Sequence, residues 1–280
     1  VASRGLGDVY KRQIDHVLGN VLATGADEME LDFHGGGEPA TNWAVLTGAF
    51  EHARAVAEPH GVRISAALGT NGVLRESQID WMTANLDSAT VSLDGTPEVH
   101  DRHRPRPGGQ ASSPAVLHTL ERFDAAGFAY GIRMTVTADA IGELADSVGF
   151  VCSRFAPRRV QVEPAYPLGR WTSSPSAETA AFIEAFRRAR AVAESHGVEL
   201  YYSAARLGLL SNHFCGVSRD TFALSPDGNV SACYEVFSEE QPLAERFFWA
   251  RPDEEGGYRI DEPVLAELRG HAVSYTHLTL

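Results

Sequence analysis

Lysine is almost missing from this 280-residue chain: Lys11 is the only one, and the formal net charge is −13. A surface that coats DNA or RNA needs a basic stripe, so the charge balance argues against nucleic acid as a partner. A Schiff-base mechanism has no lysine in the interior to work with, which disfavours a metal-independent barrel enzyme of the aldolase kind. Cysteine is scarce too. Cys152, Cys215 and Cys233 are too few for a disulfide framework in a chain this long. No run of 18 apolar residues occurs, so no membrane helix is expected. No signal-peptide pattern is visible, and a cytoplasmic location is the expectation.

What remains is an ordinary globular composition, 44% hydrophobic and 22% charged. The two ends stand apart. Ser3–Gln13 and Val273–Leu280 share no periodicity with their neighbours and resemble translated sequencing-adapter read-through. Residues 1–13 and 273–280 are therefore expected to be tails on a chain cut at both ends. Between them, apolar strand-like runs alternate with helical stripes. The runs are Glu28–Phe33, Val62–Leu68, Ala89–Leu93, Tyr130–Val136 and Arg159–Glu163. Stripes such as Trp43, Leu46, Phe50, Ala53 and Val56 have helical spacing. Helices ending at Gly61, Gly127 and Gly197 fit left-handed caps. Such a βα repeat predicts an α/β fold on a parallel sheet. After about Leu200 the alternation stops. Phe222–Ser225 and Asn229–Cys233 flank a Pro-Asp-Gly turn and read as a hairpin, and the segment beyond it reads as a polar loop with exposed Phe247, Phe248 and Trp249.

The unusual residues follow the strand-like runs, at the carboxyl edge where βα loops build active sites. Gly35, Gly36 and Gly37 offer bare backbone, Glu38 an acceptor, and Pro39 a strand stop. They form either a ligand cradle or a glycine-rich turn. Asn71-Gly72 and Asp94-Gly95 are turn pairs or ligand contacts, and Ser92 satisfies its own turn or a ligand. Arg133, inside a strand, needs a partner: a bound carboxylate or a structural salt bridge. His100 and Asp101 open a stretch that local hydrogen bonds can fix. Cys152 reads as core packing.

In order, "DFHGGGEP", "TNG", "VSLDGTPEVHDRHRP", "IRMTVT", "VEPAYPLGR" and "FCGVSRDTFALSPDGNVSACYE" resemble radical S-adenosylmethionine enzymes of the branch with a C-terminal SPASM domain, over about Glu28 to Glu235. The resemblance implies a partial (β/α) barrel over residues 14–198, lacking its first strand and cluster loop, and a partial SPASM domain over 199–272. It implies S-adenosylmethionine held by Gly35, Gly36, Gly37, Glu38, Pro39, Asn71, Ser92, Asp94 and Arg133. It also implies a [4Fe-4S] cluster on a CxxxCxxC loop. Cys215 and Cys233 are similar to ligands of an auxiliary iron–sulfur cluster, or else are two buried free thiols. Such a protein would generate a 5′-deoxyadenosyl radical to modify a peptide or protein side chain, with flavodoxin or ferredoxin as reductant. No CxxxCxxC occurs anywhere in this chain, so the chain itself is expected to be inactive. The alternative is a non-catalytic homologue that serves as a peptide-binding scaffold.

Overall fold

A computed structural model describes residues 6–35, 37–165, 179–205, 222–254 and 257–270. The chain divides into two compact units, one made of residues 1–66 with 208–280, the other of residues 67–207. The boundary falls inside β2 (Arg63–Thr70). The main sheet has six strands in sequence order, β1 (Glu28–Phe33), β2, β3 (Ser88–Ser92), β4 (Tyr130–Val136), β5 (Arg159–Pro164) and β6 (Glu199–Tyr201). β2 to β6 pair in parallel. At the start of β1 the Arg63 N–H donates to the Asp27 carbonyl at 2.8 Å, beginning to beginning, as in a parallel pair.

In the continuous unit, helices α3 (Glu76–Asn85), α4 (Pro97–His103), α5 (Ser113–Ala126), α6 (Leu144–Arg154) and α7 (Thr179–Ser195) fill the connections. The sheet has two unlike faces. Val91, Ile132, Val160 and Leu200 are register partners, all buried, and belong to the core with Val116, Leu120, Phe123 and Val148. The next row, Ser92, Arg133, Gln161 and Tyr201, is polar and half-buried. Fully covered parallel strands are apolar on both faces. The alternation seen here instead fits the wall of an incomplete barrel, whose concave side is lined with polar groups.

In the other unit, α1 (Leu6–Thr24) and α2 (Trp43–Ala57) close over β1 through Ile14, Leu18, Met29, Ala49 and Ala53. A four-stranded sheet has the order β10 (Tyr258–Ile260), β9 (Phe248–Pro252), β8 (Val230–Ser231), β7 (Ala223–Leu224), all antiparallel. α1 reaches this sheet: the Gln13 side chain donates to the Ser225 carbonyl at 3.2 Å, and His16 packs on Tyr258. Helices α8 (Ala244–Phe247) and α9 (Glu262–Gly270) complete the described residues.

Several expectations are met. β1 and β4 have the predicted bounds, and Gly61, Gly127 and Gly197 all take positive φ after their helices. Others are corrected. The segment read as a polar loop contains β9 and β10, and Phe248 and Ala250 are fully buried. The antiparallel ladder overrides the polar flanks by burying every second residue. His100 and Asp101 lie in helix α4, whose N-cap Thr96 and Pro97 give it a regular start. Cys152, read as core packing, is indeed buried, within α6, with its thiol pushed up in pKa by burial.

Candidate functional site

The carboxyl ends of the parallel strands in the continuous unit carry the polar residues singled out in the sequence. Ser92 ends β3, and its register partner Arg133 lies on β4. Arg133 is half-buried and makes no ion pair or side-chain hydrogen bond among the described residues. A guanidinium so placed is a ready acceptor-binding fork. Across β5 and β6 a short hydrogen-bonded chain continues the same face. The Tyr201 hydroxyl donates to Gln161 Oε1 at 2.9 Å, and Gln161 Nε2 donates to Glu163 Oε1 at 2.8 Å. The Ser203 N–H donates to that same Glu163 oxygen at 3.0 Å. Burial first, and then the neighbouring charges of Glu163 and Glu199 against those of Arg159 and Arg133, leave the Tyr201 phenol raised in pKa.

Asp94 is placed differently. Its side chain is 2% exposed and accepts from Arg104 Nε at 2.6 Å and from the Thr135 N–H at 2.9 Å. Arg104 also donates to the Thr135 hydroxyl. The Asp94 N–H donates to His100 Nδ1 at 3.2 Å, which requires a neutral ring at that nitrogen. Burial accordingly holds the His100 pKa below 6.5, with the Asp94 charge opposing it. Asp101 accepts from the Ser112 and Ser113 N–H groups and the Ser113 hydroxyl, which seats the start of α5 and holds the carboxyl below its usual range despite partial burial. These groups fix the rim; they are tied to the chain itself. Asn71 accepts from the Val73 N–H at 2.8 Å in a local turn.

In the other unit, the glycine segment follows β1. A Cβ added at Gly35 or Gly37 would meet no atom within 4 Å, and Gly35 has φ +156°. Gly36 lies outside the described residues. Glu38 caps the short 3₁₀ turn Pro39–Asn42, accepting from the Ala40 N–H at 3.1 Å. Cys233 is half-buried, with its backbone held by the Ser231 hydroxyl. Cys215 lies outside the described residues. Among the described residues no group of three or more His, Cys, Asp or Glu side chains is arranged to hold a metal.

Gln161, Glu163, Tyr201, Arg104 and Thr135 were not singled out in the sequence. For the four strand residues the signal was available, one polar residue at every second position of strands that are otherwise buried, whereas Arg104 follows helix α4 and no such pattern marks it.

Comparison with solved structures now decides the fold. The chain superposes on anSMEcpe, solved with bound AdoMet and the Cp18Cys peptide, at a TM-score of 0.68, with 18% identity, covering 94% of this chain and 72% of that one. Its fold is like that of radical SAM enzymes. The likeness of fold extends to Streptococcus suis SuiB bound to S-adenosylmethionine, at TM-score 0.61 and 12% identity, covering 83% of this chain and 55% of that one. The chain spans between 65% and 72% of the anSMEcpe chains and 55% of SuiB. No family model matches the sequence, and no curated protein matches it in sequence. The partial barrel followed by a small antiparallel sheet therefore stands, while radical SAM chemistry is a matter for the residues themselves.

Proposed function

We propose that the intact parent of this chain is a radical SAM enzyme that modifies a peptide or protein side chain. The observation that carries this reading is the polar sheet face, with Arg133 and Ser92 uncommitted among the described residues, in a fold that anSMEcpe and SuiB use with S-adenosylmethionine bound. The residues fit the cofactor on two counts. In the continuous unit Arg133 would supply a fork for its carboxylate, and, taken by itself, the other unit has Gly35 and Gly37 with backbone open to close approach. Ser92, Asn71 and Glu38 are the further contacts of this reading, and Asp94 enters through its fixed rim. When reductively cleaved, S-adenosylmethionine supplies a 5′-deoxyadenosyl radical that takes a hydrogen atom from the substrate. The cluster that drives the cleavage does not fit this chain. Its three cysteines form no CxxxCxxC, and Cys152 is buried in α6. No step through a cluster is assigned to these residues. Cys233 with Cys215, an auxiliary cluster, a flavodoxin or ferredoxin reductant and a cytoplasmic setting remain parts of the proposal for the parent.

The chain is expected to bind S-adenosylmethionine without cleaving it. Equilibrium dialysis with labelled S-adenosylmethionine reads the first half, and Arg133→Met should weaken binding at least about tenfold through loss of a charge-assisted fork. Dithionite reduction after anaerobic iron and sulfide treatment reads the second, with no stoichiometric 5′-deoxyadenosine from this chain. The parent gene, carrying CxxxCxxC upstream of Ile14, should form it. Equal binding by wild type and the Arg133 variant, or no binding at all, overturns the reading.

A further inference from the structure

Among the described residues, Glu163 is the one buried carboxylate on the polar face that the proposed cofactor contacts do not use. It is 8% exposed. One of its oxygens is anchored twice, by Gln161 Nε2 at 2.8 Å and by the Ser203 N–H at 3.0 Å. The other oxygen accepts no hydrogen bond, and no cation lies within 4.0 Å of the carboxylate, among the described residues. Compare Asp94, also buried, whose charge is met by Arg104 at 2.6 Å. An ionised carboxylate removed from water without a counter-ion is costly, and the cost is recovered when a cation docks.

The surroundings orient the carboxylate. Gln161 cannot turn its amide, because Tyr201 donates to its oxygen while its nitrogen donates to Glu163. The Ser203 N–H pins the same Glu163 oxygen from β6's far end. The side chain is thus held rigid by neutral donors, with one oxygen left over. Arg133 and Gln161 are register partners, whereas Glu163 pairs with Thr135, so the guanidinium and the carboxylate occupy successive rows of one face. The two carry opposite signs and are not paired with each other.

We propose that Glu163, positioned by Gln161, Tyr201 and the Ser203 amide, binds a cationic side chain, lysine or arginine, of the peptide substrate. This rests on the proposed function above and names the substrate feature that its site selects. Net charge points the same way: a chain at −13 draws basic peptides by long-range attraction. With Arg133 reserved for an anionic group, Glu163 is the specificity-determining residue for the opposite sign.

The test uses the 280-residue protein and three blocked tripeptides, acetyl-glycyl-lysyl-glycinamide, its arginyl counterpart and its norleucyl counterpart, titrated by NMR at low salt. One or both cationic peptides should bind at least about tenfold more tightly than the norleucyl one, as expected for a desolvated charge pair. The Ser203 amide resonance should move on titration. Glu163→Gln keeps the acceptor for Ser203 and the side-chain shape, and should bring the peptides to within about twofold of one another once the charge is gone. Glu184→Gln, on the exposed face of α7, should change nothing. Tyr201→Phe loosens Gln161 and should cost part of the preference. Equal binding of the norleucyl peptide to wild type, or a full preference retained in Glu163→Gln, overturns the proposal. Failure here leaves the S-adenosylmethionine dialysis result intact, so the two readings fail separately.

Discussion

The segments after β1 and after β3 both carry glycines and an acidic residue, and they differ in what surrounds them. After β3, Gly95 has φ +141° and a Cβ there would lie 2.2 Å from the Ser147 Oγ and 2.4 Å from its Cβ. Asp94 beside it is bound to Arg104 and Thr135, and His100 to the Asp94 backbone. The chain's own packing demands glycine there. After β1, Gly35 and Gly37 meet nothing within 4 Å, and Glu38 serves its own short turn. Packing makes no demand for glycine at position 37. A residue type that folding does not require is a candidate for being required by function, whereas the other segment is structural on its face.

The largest expected effect comes from Arg104→Met, which leaves the Asp94 carboxylate buried without its cation. A loss of about 3–5 kcal/mol in unfolding free energy by urea titration is expected for such a broken pair. A loss below about 1 kcal/mol, the range of a surface pair, would break the contrast drawn for the β3 segment. Next comes Gly95→Ala. Overlap with Ser147 and an unfavourable φ together should cost roughly 2–3 kcal/mol. Adding Ser147→Gly, which removes both overlapping atoms, should restore part of that loss. Gly37→Ala should cost less than about 0.5 kcal/mol, within the usual surface range, yet weaken S-adenosylmethionine binding in dialysis. If instead Gly37→Ala unfolds the protein while Gly95→Ala does not, the comparison is inverted.

A smaller, graded effect belongs to pH. His100 has its pKa lowered from 6.5 in the folded protein, so the unfolded chain binds the proton first. Its contribution to stability is complete above pH 6.5 and declines as the pH falls from there, by at most about 1.4 kcal/mol per pH unit. His16, also lowered, acts in the same direction. In His100→Gln the decline between pH 6.5 and 5 should be shallower, as read from urea midpoints across that range. An unchanged slope would show that the Asp94–His100 contact does not hold the ring neutral.

The parallel sheet was legible because its strands carry apolar residues at every second position and three of the intervening helical segments end at Gly61, Gly127 and Gly197. Val91, Ile132 and Val160 announce their face by themselves. The other face was harder to read, because Gln161 and Glu163 are only two alternate positions of one short strand and Tyr201 lies on another. Only the register brings Tyr201 opposite Gln161. Helix α4 was missed although Thr96, Pro97 and Glu98 form an ordinary helix start, because the histidines and arginines after them drew attention as a loop. β9 was missed for a different reason. Its Phe248 and Ala250 are buried by partners more distant in sequence, and β8 bulges between Val230 and Ser231, so local pattern gives no register.

Gln13 and Ser225 touch across 212 residues of chain, and both belong to one discontinuous unit interrupted by residues 67–207. On the ribosome, α1 therefore emerges long before the antiparallel strands it holds, and the intervening sheet has time to assemble first. Until residues 223–260 have been made, the apolar side of α1 has α2 and β1 to pack on but not the antiparallel strands. Premature termination after position 205 would leave α1 without the strands that cover its Gln13 side, a species prone to capture by chaperones or by its own kind.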